Sequence, residues 1–194
     1  MPYISLIGLN LPVDISIQKV IYMNELLIPQ AGEYGAYYEN YISWVKGRDI
    51  PEILISQIQE VRNIYDKLGE SKSNLAYTEG KWSAKEVLGH ITDTDRIMAY
   101  RALSIARGEN TSLPGYDQDA YVIHGKFNEI ALGHLLEEFE LSRFALVSML
   151  KNLPKSSYAN VGIANNTSVT VRALFNIIAG HTIHHLNILK DRYI

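Results

Sequence analysis

Val169-Thr-Val-Arg-Ala-Leu-Phe-Asn-Ile-Ile-Ala-Gly-His-Thr-Ile-His-His-Leu-Asn-Ile-Leu-Lys-Asp-Arg192 is the stretch on which the fold turns. At about 100° per residue, with Leu174 as the zero, Ile178 falls near +40°, His181 near −20°, His185 near +20° and Ile188 near −40°. Two histidines therefore occupy the middle of an apolar stripe. A core-facing helix rarely carries polar groups there, because an unpaired buried imidazole costs about a few kcal/mol. The i, i+4 spacing stacks the two rings on one face, one turn apart, where they can share a metal ion. The expectation is a metal held inside a helical bundle.

Outward from this helix the chain offers three more of the same kind. One runs from Pro51, a residue suited to a first turn, to Leu68, with Gly69 after it; Leu54, Ile58, Val61, Tyr65 and Leu68 form its seam. The next opens on Ser83-Ala-Lys-Glu86, a capping box, and runs to Ala106, with Val87, Ile91, Met98, Ala102 and Ile105 inward. His90 lies to one side of that stripe and can reach the interior from the flank, which it shares with Thr94 and Arg101. A third spans about Asn128 to Leu150, with Arg143 near the centre of its apolar face. Ser168 or Thr167 is expected to cap the last helix. Between these elements, Gly108–Phe127 and Asn152–Thr167 read as loops, the first long enough to suggest a function. No alternating β-pattern of useful length appears. Gly32–Val45 places Tyr34, Tyr37, Tyr41 and Trp44 on one face of an extra N-terminal aromatic helix, read chiefly as packing on the bundle and secondarily as a ligand wall. The fold class expected is all-α, a four-helix bundle preceded by this helix. Residues 1–27 read as an N-terminal extension of unknown role, and 28–194 as the domain.

Composition removes several functions. A net charge of −3 and a pI near 6.1 give no basic footprint for nucleic acid and argue against an anionic membrane surface. There is no cysteine, so disulfides, thiolate ligands and a cysteine nucleophile are all excluded. The apolar start lacks the features of a signal peptide, and no window reads as a membrane span, so the default compartment is the cytoplasm.

The chemistry concentrates on His90, His181 and His185. Three imidazoles leave at least one coordination position open, the catalytic arrangement, and suit zinc, nickel or another divalent ion. The competing reading has each histidine hydrogen-bonded to a core neighbour. His184 falls nearer the edge of the stripe, a supporting or interface position; His124 and His134 read as bystanders. His-Glu-x-x-His, Glu-x-x-His pairs, a glycine-rich phosphate loop and Gly-x-Ser-x-Gly are all missing. Arg143 and Arg101 are secondary candidates, because a guanidinium aimed into a bundle must find a carboxylate or an anionic ligand. An ion pair with Asp93, Glu86 or Glu140 is the leading expectation. Asp93 is also the acid best placed to orient His90 or a metal-bound water.

Read together, Gly80-Lys-Trp-Ser-Ala-Lys-Glu-Val-Leu-Gly-His90-Ile-Thr-Asp-Thr-Asp-Arg96, Tyr100-Arg-Ala-Leu-Ser-Ile-Ala-Arg-Gly108 and Leu113-Pro-Gly-Tyr-Asp-Gln-Asp-Ala-Tyr121 resemble the DinB-like (DinB/YfiT) superfamily. Ala179-Gly-His-Thr-Ile-His-His185 with Lys190-Asp-Arg-Tyr193 is similar to that family's C-terminal signature, and the resemblance extends from about Ile28 to Ile194. It implies an up-down-down-up four-helix bundle, often a homodimer, with a divalent metal on His90, His181 and His185. Several such relatives activate a low-molecular-weight thiol for S-transfer, which is physically sensible because a coordinated thiol is deprotonated outright. The expectation is a metal-dependent thiol S-transferase acting on a small molecule. The rivals are a metal-dependent hydrolase and a non-catalytic stress-response protein braced by its metal.

Overall fold

A computed structural model describes residues 25–194. The proposed 1–27 extension thus lies outside the described residues except for Glu25, Leu26 and Leu27; Leu27 is buried, and its carbonyl accepts from Asn176 Nδ2 at 2.8 Å. The helices are α1 (Glu39–Val45), α2 (Ile50–Ser73), α3 (Ala84–Ala106), α4 (Gln118–Gly125), α5 (Leu132–Asn152) and α6 (Val171–Arg192). A hairpin of β1 (Val161–Ala164) and β2 (Thr167–Thr170) precedes α6.

Local chemistry sets the ends of these elements. The Asp49 side chain caps α2 through Glu52 N at 2.9 Å, so the helix starts at Ile50, one residue before the expected first-turn Pro51. At Gly69 the chain takes φ +67°, so the helical run breaks where the sequence reading stopped it, and one further turn follows to Ser73. The Ser83–Glu86 capping box is present in both directions. α5 starts at Leu132 rather than Asn128, because Lys126 is left-handed and the Asn128 side chain is engaged by Ser83 Oγ at 2.6 Å. The cap of α6 is Thr170, which accepts from Ala173 N at 3.2 Å; Ser168 and Thr167, the expected caps, are paired in the hairpin instead.

The four long helices form the bundle. One apolar cluster joins the start of α2, the end of α3, the end of α5 and the start of α6. The other joins the end of α2, the start of α3, the start of α5 and the end of α6. α2 and α6 therefore run one way and α3 and α5 the other, which is the up-down-down-up order. Between the two clusters lies a buried polar layer to which each long helix contributes: Gln57, then His90, Thr94 and Asp95, then Arg143, then His181, Thr182 and His185. In it, Arg143 donates to Gln57 Oε1 at 2.8 Å and to the Thr182 hydroxyl, while Gln57 Nε2 donates to the Ala179 carbonyl at 2.8 Å. Arg143 Nη2 also donates to Asp95 Oδ1 at 3.3 Å, and its Nε lies 2.7 Å from Asp95 Oδ2, where the charges attract.

Both expected loops carry structure. α4 occupies part of 108–127, capped by Asp117, which accepts from Asp119 N at 3.0 Å and Ala120 N at 3.1 Å. The second holds the hairpin, turned by Asn165 and Asn166 at φ +50° and +59°, the left-handed pair of a tight two-residue turn. Leu113 N donates to Ile163 O at 2.8 Å and Asn165 N to Leu113 O at 3.0 Å, so the hairpin clasps the 108–117 connection beside the end of α3.

Candidate metal centre

His181 and His185 are one turn apart on α6, and α3 brings His90 to meet them. His181 Nε2 lies 3.0 Å from both His90 Nε2 and His185 Nε2, and one nitrogen from each ring falls within 4.8 Å of the others. All three residues are buried. Burial holds His90 well below its ordinary 6.5, at about 4, with the charge of His184 as the lesser cause. It also holds His181 and His185 well below 6.5, and the neighbouring imidazoles add to this. The rings are therefore neutral at pH 7.

A neutral imidazole carries one N–H, and His181 Nε2 faces two like nitrogens while its Nδ1 is buried without a partner. Either tautomer leaves a buried polar atom poorly served, at a cost of about 1–3 kcal/mol. Lone pairs directed at one cation remove the conflict at Nε2. Two nitrogens each about 2.0–2.1 Å from a tetrahedral zinc ion stand about 3.3 Å apart, within a few tenths of an ångström of the 3.0 Å from His181 to each neighbour. The donor set thus fits a divalent ion of the zinc or nickel kind.

These rings form part of the wall of a cavity of about 320 Å³, at the small end of the usual ligand-pocket range. Trp82 packs on His90 with centroids 4.7 Å apart, and Tyr41 meets His181 edge-on at 5.8 Å. Tyr37, Tyr38 and Tyr116 complete the aromatic wall, and the Tyr116 hydroxyl is 2.7 Å from Thr94 Oγ1. Of the expected aromatic face, Tyr37 and Tyr41 line the cavity, while Tyr34 and Tyr41 also pack against the apolar core; Ile42 and Val45 are the buried side of α1. Gly180 permits this approach, because a Cβ there would run into the Tyr41 carbonyl.

The remaining candidates separate cleanly. Arg143 is fully buried in the polar layer and is absent from the cavity lining; its carboxylate partner is Asp95, not Asp93, Glu86 or Glu140. Glu86 is engaged in the capping box and Glu140 pairs with Arg62. Asp93 lies 3.8 Å from Arg96 and does not line the cavity either. Arg101 does line it. His184 lies half-buried at the same cavity, parallel to Trp44 with centroids 6.2 Å apart. His124 bonds the Ala120 carbonyl and His134 is exposed, both away from the centre. Trp82 and Tyr116 escaped the sequence reading as site residues, whereas Tyr37 and Tyr41 take up the ligand-wall role that was its lesser expectation. Only the density of aromatics in Gly32–Val45 hinted at such a wall.

Fold and site together define a helical bundle with a three-histidine pocket. The family model for the DinB superfamily matches residues 54–189, and the chain belongs to that superfamily. Among solved structures it is similar to YfiT from Bacillus subtilis, described as a probable metal-dependent hydrolase with an unusual four-helix bundle topology. The TM-score is 0.68 and the identity 13%, over 84% of this chain and 89% of that one. No curated protein matches the sequence. Among the described residues, no helix is long and apolar enough to cross a membrane.

Proposed function

We propose that the protein is a divalent-metal-dependent enzyme that transfers the sulfur of a low-molecular-weight thiol to a small-molecule electrophile, with His90, His181 and His185 as the metal ligands. The observation that carries this is the convergence of three neutral imidazole nitrogens on a cavity open to small molecules. When bound there, zinc or nickel would supply a Lewis acid able to lower the pKa of a coordinated thiol or water. The chain's own part is to aim the imidazoles, with Trp82 and Tyr41 packed against their rings, and to wall the site with tyrosines. Among the described residues, that wall contains no carboxylate to act as a general base. This favours a thiol, the more acidic nucleophile, over water. In the transfer, sulfur bonds to the electrophilic carbon, the leaving group departs with the bonding pair, and the thiol proton goes to solvent.

Hydrolysis is the second reading, and it matches the description of YfiT. His184, half-buried at the cavity, is the group that would take the proton from an attacking water. The reading also takes the molecule to be a cytoplasmic homodimer, which sedimentation would check.

The test is a panel of thiols and electrophiles offered to protein purified without a histidine tag, before and after chelation. Electrophile consumption that requires both thiol and metal is expected. Turnover without thiol would favour hydrolysis, and a fall in Tm with no activity in any arm would leave a metal that only braces the bundle. His181→Ala or His185→Ala should abolish stoichiometric metal, and His134→Ala should leave it intact, as elemental analysis would show.

A further inference from the structure

A second polar group opens into the same cavity, and nothing in the metal reading uses it. Arg101 lies on the His90 face of α3: eleven residues at about 100° each bring it back to within roughly 20° of that histidine. It is only 3% exposed. Its Nη2 donates to the Pro114 carbonyl at 2.7 Å, and Nη1 has only a 3.5 Å contact with Met98 Sδ. A guanidinium has five N–H donors, so most of this one is unused. Among the described residues it has no carboxylate within ion-pair distance, in contrast to Arg143, which has Asp95. Its near neighbours in the cavity include the Tyr38 and Tyr116 hydroxyls, which stay protonated and neutral at pH 7 because burial raises them. The connection that holds it is fixed in turn by the hairpin, through Leu113. A buried cation without an anion is costly, and the cost is recovered when a ligand supplies the charge.

We infer that Arg101 is the recognition point for a carboxylate on the substrate, so that the enzyme acts on small carboxylic acids whose reacting centre lies at the far end from the acid group. The inference rests on the metal reading for the position of that reacting centre, but not for the anion site itself. Arg101 is the one guanidinium or ammonium lining the cavity among the described residues, which suits a single negative charge; a phosphate dianion would call for more. Its planar fork matches a carboxylate with two parallel hydrogen bonds. At about 1.5 Å per residue, His90 and Arg101 are roughly 16 Å apart along the axis, and the long arginine leans back toward the histidine. The ligand that spans them is thus extended, about 10–16 Å from acid group to reacting atom.

The experiment uses the zinc-loaded full chain and ω-mercaptoalkanoates of increasing length as rulers, each paired with the mercaptoalcohol of equal length, with affinities read by calorimetry. An acid of intermediate length should bind at least tenfold more tightly than its alcohol. Arg101→Gln should reduce that advantage below twofold while the alcohol's affinity and the zinc content stay unchanged. Arg101→Lys, which keeps the charge and loses the fork, should retain only part of the advantage, and it replaces the glutamine variant if that one does not fold. Equal affinities for acid and alcohol in the native chain, an advantage undiminished in either variant, or a mercaptoalkylphosphonate preferred to the acid would overturn the inference. A thiol-free pair, octanoate against octan-1-ol, keeps the two readings apart. If no thiol binds but octanoate is preferred and Arg101→Gln removes the preference, the thiol reading fails and the carboxylate site stands.

Discussion

At the scale of single residues, three imidazoles are held neutral where two of them stand in an apolar helical stripe. Burial pushes His90 down to about 4 from its ordinary 6.5 and holds His181 and His185 well below that ordinary value, being the chief cause in each. For a base whose folded pKa is depressed, the unfolded chain binds the extra proton. The associated stability is complete above pH 6.5 and is lost as the pH falls through the folded value. Metal-free protein should therefore weaken between pH 6.5 and about 4, by up to about 1.4 kcal/mol per pH unit for each imidazole titrating only in the unfolded chain. Urea melts across that range would show the slope, and a flat profile would mean the rings are solvated. His181 and His185 were legible in the sequence because their positions follow from one helix's own period. Trp82 was not, and Tyr41 only as a lesser reading, since their contacts with the rings depend on how separate elements meet.

At the scale of elements, α1 and α6 touch through a missing side chain. Gly180→Ala would gain about 1 kcal/mol in helix propensity. It would also press a methyl group into the Tyr41 carbonyl, a backbone atom that moves only if α1 moves, and overpacking of this kind costs about 1–3 kcal/mol. The expected outcome is a displaced α1, seen as a shift in Trp44 fluorescence, with a net stability loss of up to about 2 kcal/mol. An unshifted spectrum would contradict the close approach. The hairpin is the element that the sequence reading missed. Its four-residue strands are too short to show alternation, and its left-handed turn is carried by Asn165-Asn166 rather than by glycine. The 108–127 connection was rightly singled out as long, but the Asp117 cap that starts α4 within it went unread.

At the scale of the whole molecule, the bundle is two apolar clusters separated by a polar layer that each long helix enters. The helix pattern revealed the clusters, because apolar periodicity is a property of each helix alone. The pairing of Arg143 was hidden, because which acid faces it depends on the up-down-down-up packing, and that selects Asp95. Asp95→Asn should cost about 3–5 kcal/mol by stranding a fully buried guanidinium, measured by urea unfolding. A loss under about 1 kcal/mol would mean that Gln57 and Thr182 suffice. The central claim, an open three-imidazole metal centre, is tested most directly by X-ray absorption at the metal edge of tag-free protein, with and without added thiol. The account predicts three imidazole nitrogens at about 2.0–2.1 Å and, on adding thiol, one sulfur at about 2.3 Å if the ion is zinc. Fewer than three imidazoles, or a spectrum that the thiol leaves unchanged, would contradict it.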